Sequence, residues 1–80
     1  MSNPIYSFNA KSKKSLSIRN AKTGQVIKTV NVDGEIVGSP NVSGDTGIVN
    51  VKKGNITKTY VYSLKNGTVQ KIYTTWLILI

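Results

Sequence analysis

Apolar and polar side chains alternate over short runs along this chain. Leu16 and Ile18 share one face against Ser15, Ser17 and Arg19, Val49 and Val51 share another, and Tyr60 and Tyr62 a third. A period of two is that of a β-strand with one face buried. Val26, Val30 and Val32 keep the same phase, with Lys28 as an intruder. Lys28 therefore belongs at a sheet edge, or lays its stem along the sheet and keeps its ammonium in water. Gly, Asn, Asp and Ser punctuate the runs, and no window sustains an apolar period of 3.6, so essentially no helix is expected. The pattern predicts an all-β antiparallel meander of about seven short strands. Asp33-Gly34 and Asn66-Gly67 read as tight primed hairpin turns, which need positive φ at both positions. Pro40 belongs at a strand start or on an edge, since it has no N–H to give to a ladder.

One unit occurs about twice. "NAKTGQVIKTV", 20–30, returns in looser form as "SLKNGTVQKIY", 63–73, with Gly24 over Gly67, Val26 over Val69 and Lys28 over Lys71, 43 positions apart. A period of roughly 40–45 residues with four strands per unit is the signature of a propeller blade. The stretch "NAKTGQVIKTVNVDGEIVGSPNVSGDTGIVNVKKGNI" resembles quinoprotein-type β-propeller repeats, with Thr23-Gly24, Gly38-Ser39-Pro40 and Lys53-Gly54 in the matching places, over roughly residues 15–76. The resemblance implies a fold only. It divides a single all-β domain, 1–80, into a first propeller-blade-like unit at about 5–32 with strands at 5–9, 15–20 and 25–32, a second at about 39–76 with strands at 39–43, 47–52, 56–63 and 68–76, and an apolar C-terminal tail at 76–80. The tryptophan expected near Val30 is missing and Trp76 lies late, and no residue resembles a quinone or metal ligand, so the enzymatic function does not carry over. The opening "NPIYSFNA" and the run "SIRNAKTGQ" are similar in style to small virion proteins of tailed bacteriophages, which implies a structural role on a head or tail.

Length and composition narrow the rest. A domain of 80 residues buries only roughly 60% of the surface its unfolded chain exposes, so stability is marginal without staples or partners. With no Cys and no His, neither disulfides nor the usual zinc ligand sets are open to it. No cofactor is expected. The first residues have no apolar core of signal-peptide length, and no run approaches the roughly 20 residues that cross a bilayer. The expected setting is a virion or the cytoplasm of a host cell, without secretion or a membrane.

Charge adds a partner. Eleven basic residues against three acidic give a net charge of +8, and Asp33, Glu35 and Asp45 all lie in the middle of the chain. Such an excess supplies solubility, and equally suits a polyanionic neighbour, nucleic acid or an acidic protein surface. Lys13-Lys14 and Lys52-Lys53 fall in equivalent turns of the two units. They are the candidate contacts with such a partner: Lys13, Lys14, Lys52 and Lys53 would form a basic rim. Ordinary solvated turn lysines are the simpler account.

Catalysis has little to stand on. There is no histidine base, no cysteine nucleophile and only three carboxylates, and Asp33 and Asp45 beside Gly read as turn residues capping their own backbone. Tyr6, Phe8, Tyr60, Tyr62, Tyr73 and Trp76 could stack bases, although the alternation of Tyr60 and Tyr62 is that of a core. Trp76, Leu77, Ile78, Leu79 and Ile80 form an uncharged apolar run, a candidate assembly interface. The expected function is that of a non-enzymatic structural protein acting by protein–protein contacts with itself or with capsid or tail proteins, a head decoration or tail accessory. The alternatives are a basic small barrel that binds nucleic acid and an oligomeric propeller lectin.

Overall fold

The computed structural model describes residues 5–75; the candidate interface Trp76–Ile80 lies outside them. Seven strands follow one another, β1 (Tyr6–Ser12), β2 (Ser15–Asn20), β3 (Val26–Asn31), β4 (Glu35–Ser43), β5 (Thr46–Lys53), β6 (Ile56–Ser63) and β7 (Thr68–Thr75), with no helix among the described residues. They form two antiparallel meanders: sheet 1 in the order β1-β2-β3 and sheet 2 in the order β4-β5-β6-β7. Every ladder joins strands consecutive in sequence.

The inner faces of the two sheets close on one core. Phe8, Leu16 and Ile18 from sheet 1 meet Val49, Val51 and Tyr62 from sheet 2, with Leu64 beyond β6. Tyr62 is tilted against Phe8 at 5.6 Å between ring centroids, and Tyr60 stacks on Tyr62 at 6.2 Å. Gly47 faces this cluster because there is no room for more: a Cβ there would lie 2.6 Å from Phe8 and 2.7 Å from Leu64. Edge strand β1 packs against edge strand β4. On the far side Lys28 extends from β3 over Gly67 and donates from Nζ to the Asn66 carbonyl at 3.4 Å. An inward-phased lysine on an edge strand thus reaches water by crossing to the other sheet.

Four expectations need correction. Strand β4 begins at Glu35, not at 39, because Gly38 and Pro40 are absorbed in a bulge between Val37 and Asn41 and do not end the strand. Strand β1 runs on to Ser12, past the expected end at 9, through a bulge at Ala10–Ser12. Asp33-Gly34 is no hairpin turn: it links the two sheets, and β3 does not pair with β4. No non-glycine residue among those described has positive φ, so neither Asp33 nor Asn66 enters the primed geometry. Gly67 instead closes a longer loop, donating from its N–H to the Ser63 carbonyl.

Candidate functional site

The β1–β2 turn, the link between the sheets and the β5–β6 turn all lie at one end of the molecule. Backbone bonds set them there: Val32 donates to the Lys14 carbonyl at 2.9 Å and Ile36 to the Lys13 carbonyl at 2.7 Å. The β1–β2 turn is fixed in turn by Ser12, whose Oγ accepts from the Lys14 N–H at 3.2 Å and lies 3.0 Å from the Ser15 hydroxyl. Lys52 faces Glu35 across the β4–β5 ladder. The result is an open cleft of about 340 Å³ lined by Lys14, Gly34, Glu35, Val37, Lys52 and Gly54.

Gly34 is required for this closeness. Its φ of 137° lies in a region that side chains avoid, and a Cβ would sit 2.6 Å from the Lys52 carbonyl oxygen. Only glycine lets the link pass over β5 at that distance. Asp33, just before it, does not cap its own backbone as the sequence suggested. Its carboxylate accepts from Lys53 Nζ at 2.8 Å, the one ion pair among the described residues. That hydrogen bond and charge hold the Asp33 carboxyl below its ordinary range, with Lys58 and Lys14 adding to the same field. The same contact raises Lys53. Three lysines from three segments therefore project positive potential onto one point.

The four lysines singled out in the sequence do gather at this end, in different states. Lys14 and Lys52 line the cleft. Lys53 is tied to Asp33, while Lys13 is exposed and serves the fold through its carbonyl. Sequence reasoning missed Gly34, Glu35 and Val37 because they fell between the two expected units, 5–32 and 39–76, with Asp33-Gly34 read as a tight turn.

The cleft opens on the outer face of sheet 2. Cross-strand register places Val37, Asn50, Thr59 and Tyr73 in one row and Asn41, Ile48, Val61 and Lys71 in the next. Val37 is 45% exposed and Tyr73 52%, and the Lys71 ammonium lies 5.8 Å from the centre of the Tyr73 ring. Thr59 donates to Asn50 Oδ1 at 2.7 Å within this face. Of the aromatic residues proposed for base stacking, Phe8 and Tyr62 are in the core and Tyr60 lies against it. Tyr62 is pushed up from its ordinary range, first by burial and then by Tyr60. No three metal-ligating carboxylates converge among the described residues, and no helix there is long and apolar enough to cross a membrane.

Comparison with protein-family models, with curated proteins and with solved structures finds no match for this chain.

Proposed function

We propose that this chain is a non-enzymatic assembly module that works through protein–protein contacts. One observation carries the reading. Sheet 2 has apolar side chains on both faces, Val49, Val51 and Tyr62 inside and Val37, Ile48, Val61 and Tyr73 outside, while sheet 1 covers only the inside. An antiparallel sheet with one solvated face alternates cleanly between apolar and polar. Four apolar side chains set among Glu35, Asn41, Asn50, Lys52, Thr59 and Lys71 fit a face that a partner covers in part. The more particular setting, a small virion component on a phage head or tail, draws its support from the sequence resemblance.

A second reading, binding of nucleic acid, draws on the positive end formed by Lys13, Lys14, Lys52 and Lys58, none of which has an ion pair among the described residues. It is weakened by the burial of the aromatics that would stack bases.

The deciding experiment is size analysis of the full chain in nuclease-treated extracts of its source, with the V37S/Y73S double variant alongside. Assembly predicts a discrete protein complex that survives nuclease and is lost in the variant, with the variant's melting temperature unchanged. A monomer in both cases, or a complex that nuclease dissolves, would overturn it.

A further inference from the structure

We infer that the outer face of sheet 2 and the cleft at its end form one docking surface for an acidic protein partner, whose apolar side chains cover Val37 and Tyr73 while a carboxylate enters between Lys14 and Lys52. This rests on the assembly reading above and names the chemistry of what covers the face.

Continuity is the first support. Val37 belongs both to the cleft lining and to the outer-face row with Asn50, Thr59 and Tyr73. Lys52 likewise lines the cleft and stands in the adjacent row between Glu35 and Thr57. Two exposed apolar side chains, Val37 beside the cleft and Tyr73 across the Asn50–Thr59 pair, therefore share one face with a cationic pocket, and Lys71 flanks Tyr73 on β7. An apolar centre with a polar, charged rim is the usual anatomy of a protein interface.

Charge chooses between occupants. A second copy would set Lys14, Lys52 and Lys71 of one chain against the lysines of another, in a protein whose net charge is +8. Like charges brought together across an interface are costly, and opposite ones speed encounter and fix register. A nucleic-acid strand would bring a uniform line of phosphates, but Glu35 lines the same cleft and would repel it. A protein surface carries carboxylates and cations side by side, so one carboxylate can meet Lys14 and Lys52 while a cation meets Glu35. The face offers one exposed aliphatic side chain, Val37, half-buried Ile48 and Val61, and Tyr73 as its single aromatic ring. That composition suits side-chain packing better than a succession of stacked bases.

The edges of the sheet point to the face as the contact. Each ladder that includes an edge strand contains a register shift: β1–β2, β2–β3, β4–β5 and β6–β7. The ladder between the two central strands, β5–β6, has eight consecutive pairs and no shift. Bulges twist an edge away from flat pairing, and natural sheets use them to refuse an added strand. A partner therefore lies on the face, and strand addition at an edge is disfavoured.

The test is residue-resolved NMR titration of the full-length chain with a nonapeptide alternating glutamate with valine and leucine. Poly-L-glutamate and a thymidine oligonucleotide of similar charge serve as comparators. The expected result is shifts confined to Lys14, Gly34, Glu35, Val37, Lys52, Gly54 and Tyr73. The peptide should bind about tenfold more tightly than poly-L-glutamate, the equivalent of roughly 1.4 kcal/mol of apolar contact. K14E/K52E should weaken binding about tenfold or more, and Lys22→Glu at the opposite end should leave it unchanged. Shifts spread equally over Lys22, Lys28 and Lys65 would overturn the proposal, because charge alone would then be responsible. Tighter binding of the oligonucleotide at the cleft would overturn both the proposal and the assembly reading. Shifts of the same residues on raising the protein concentration without any probe would overturn the acidic partner in favour of a second copy, and the assembly reading would stand.

Discussion

The two sheets have the same inner face and different outer ones. Inside, Leu16 and Ile18 of β2 do for sheet 1 what Val49 and Val51 of β5 do for sheet 2. Outside, the rows of sheet 1 read Asn9, Ser17, Thr29 and Ser12, Ser15, Asn31. The corresponding rows of sheet 2 read Val37, Asn50, Thr59, Tyr73 and Asn41, Ile48, Val61, Lys71. These rows of sheet 1 follow the alternation of a sheet with water on one side, broken only where Val26 pairs with Arg19 at the β3 bulge and Val26 and Ile27 lie exposed, while the rows of sheet 2 mix apolar with polar side chains. The core fixes the fold through residues of one phase. Information about what the molecule meets lies in the other phase, and there sheet 2 carries more apolar side chains than sheet 1.

The sharpest way to break this comparison is to cut into each phase in turn. Leu16→Ala, in the fully buried centre of sheet 1, should lower unfolding free energy in urea by about 3 kcal/mol. Val37→Ser, on the outer face of sheet 2, should change it by no more than about 0.5 kcal/mol. Equal losses would mean that the outer face is needed for the fold itself and is not a docking surface. Gly47→Ala should cost about 2 kcal/mol by the same measurement, since the new methyl group meets Phe8 and Leu64 in a packed core. Gly34→Ala should cost about 1 to 2 kcal/mol through its backbone conformation and the nearby Lys52 carbonyl. It should also displace the NMR signals of Lys14 and Lys52, whereas Gly47→Ala should leave those signals in place.

The smallest expected effect concerns the Asp33–Lys53 pair. Asp33 is held below its ordinary 3.8, so its contribution to stability is present above that pH and fades as pH falls through the lowered value. Lys53 is raised above 10.5, so its contribution is present below that pH and is lost as pH rises through the raised value. Both side chains are largely exposed, at 75% and 67%, so the effect is slight and salt reduces it. Melting temperatures of wild type and Asp33→Asn should differ slightly near neutrality at low salt and converge in acid. A gap that persists at low pH would show that Asp33 stabilises this end by something other than its charge.

Most of the fold was legible because it is local. Alternation gave an all-β meander of about seven strands and paired Leu16 with Ile18, Val49 with Val51 and Tyr60 with Tyr62 on shared faces, and the mismatch of Lys28 left an edge or a stem laid along the sheet, of which the edge holds for β3. What failed was the reading of junctions. Asp33-Gly34 carries the same letters whether two strands pair across it or the chain steps to another sheet, and only the packing of β1 against β4 separates the cases. Gly38 and Pro40 looked like the break before a strand because a bulge uses the same residues as a turn. The gathering of Lys14 with Lys52 was expected from equivalent turns. Gly34, Glu35 and Val37 could not be added to them, since their place depends on where the chain crosses between sheets. The suspected kinship to propeller repeats and to virion proteins finds no support in the comparisons, and the sheets by themselves establish only an antiparallel meander.

The strictly sequential order of strands in each sheet has a consequence for how the molecule comes into being. Every ladder closes between neighbours in the chain, so little loop entropy is lost before hydrogen bonds begin to repay it. A nascent chain leaving the ribosome can complete sheet 1 before sheet 2 has emerged. The inner face of sheet 1 then waits, with Phe8, Leu16 and Ile18 uncovered, for β5 and β6 to emerge. An arrest that leaves the chain emerged to a point between Asn31 and Thr46 would hold it at its stickiest, and chaperone capture should be strongest over that interval.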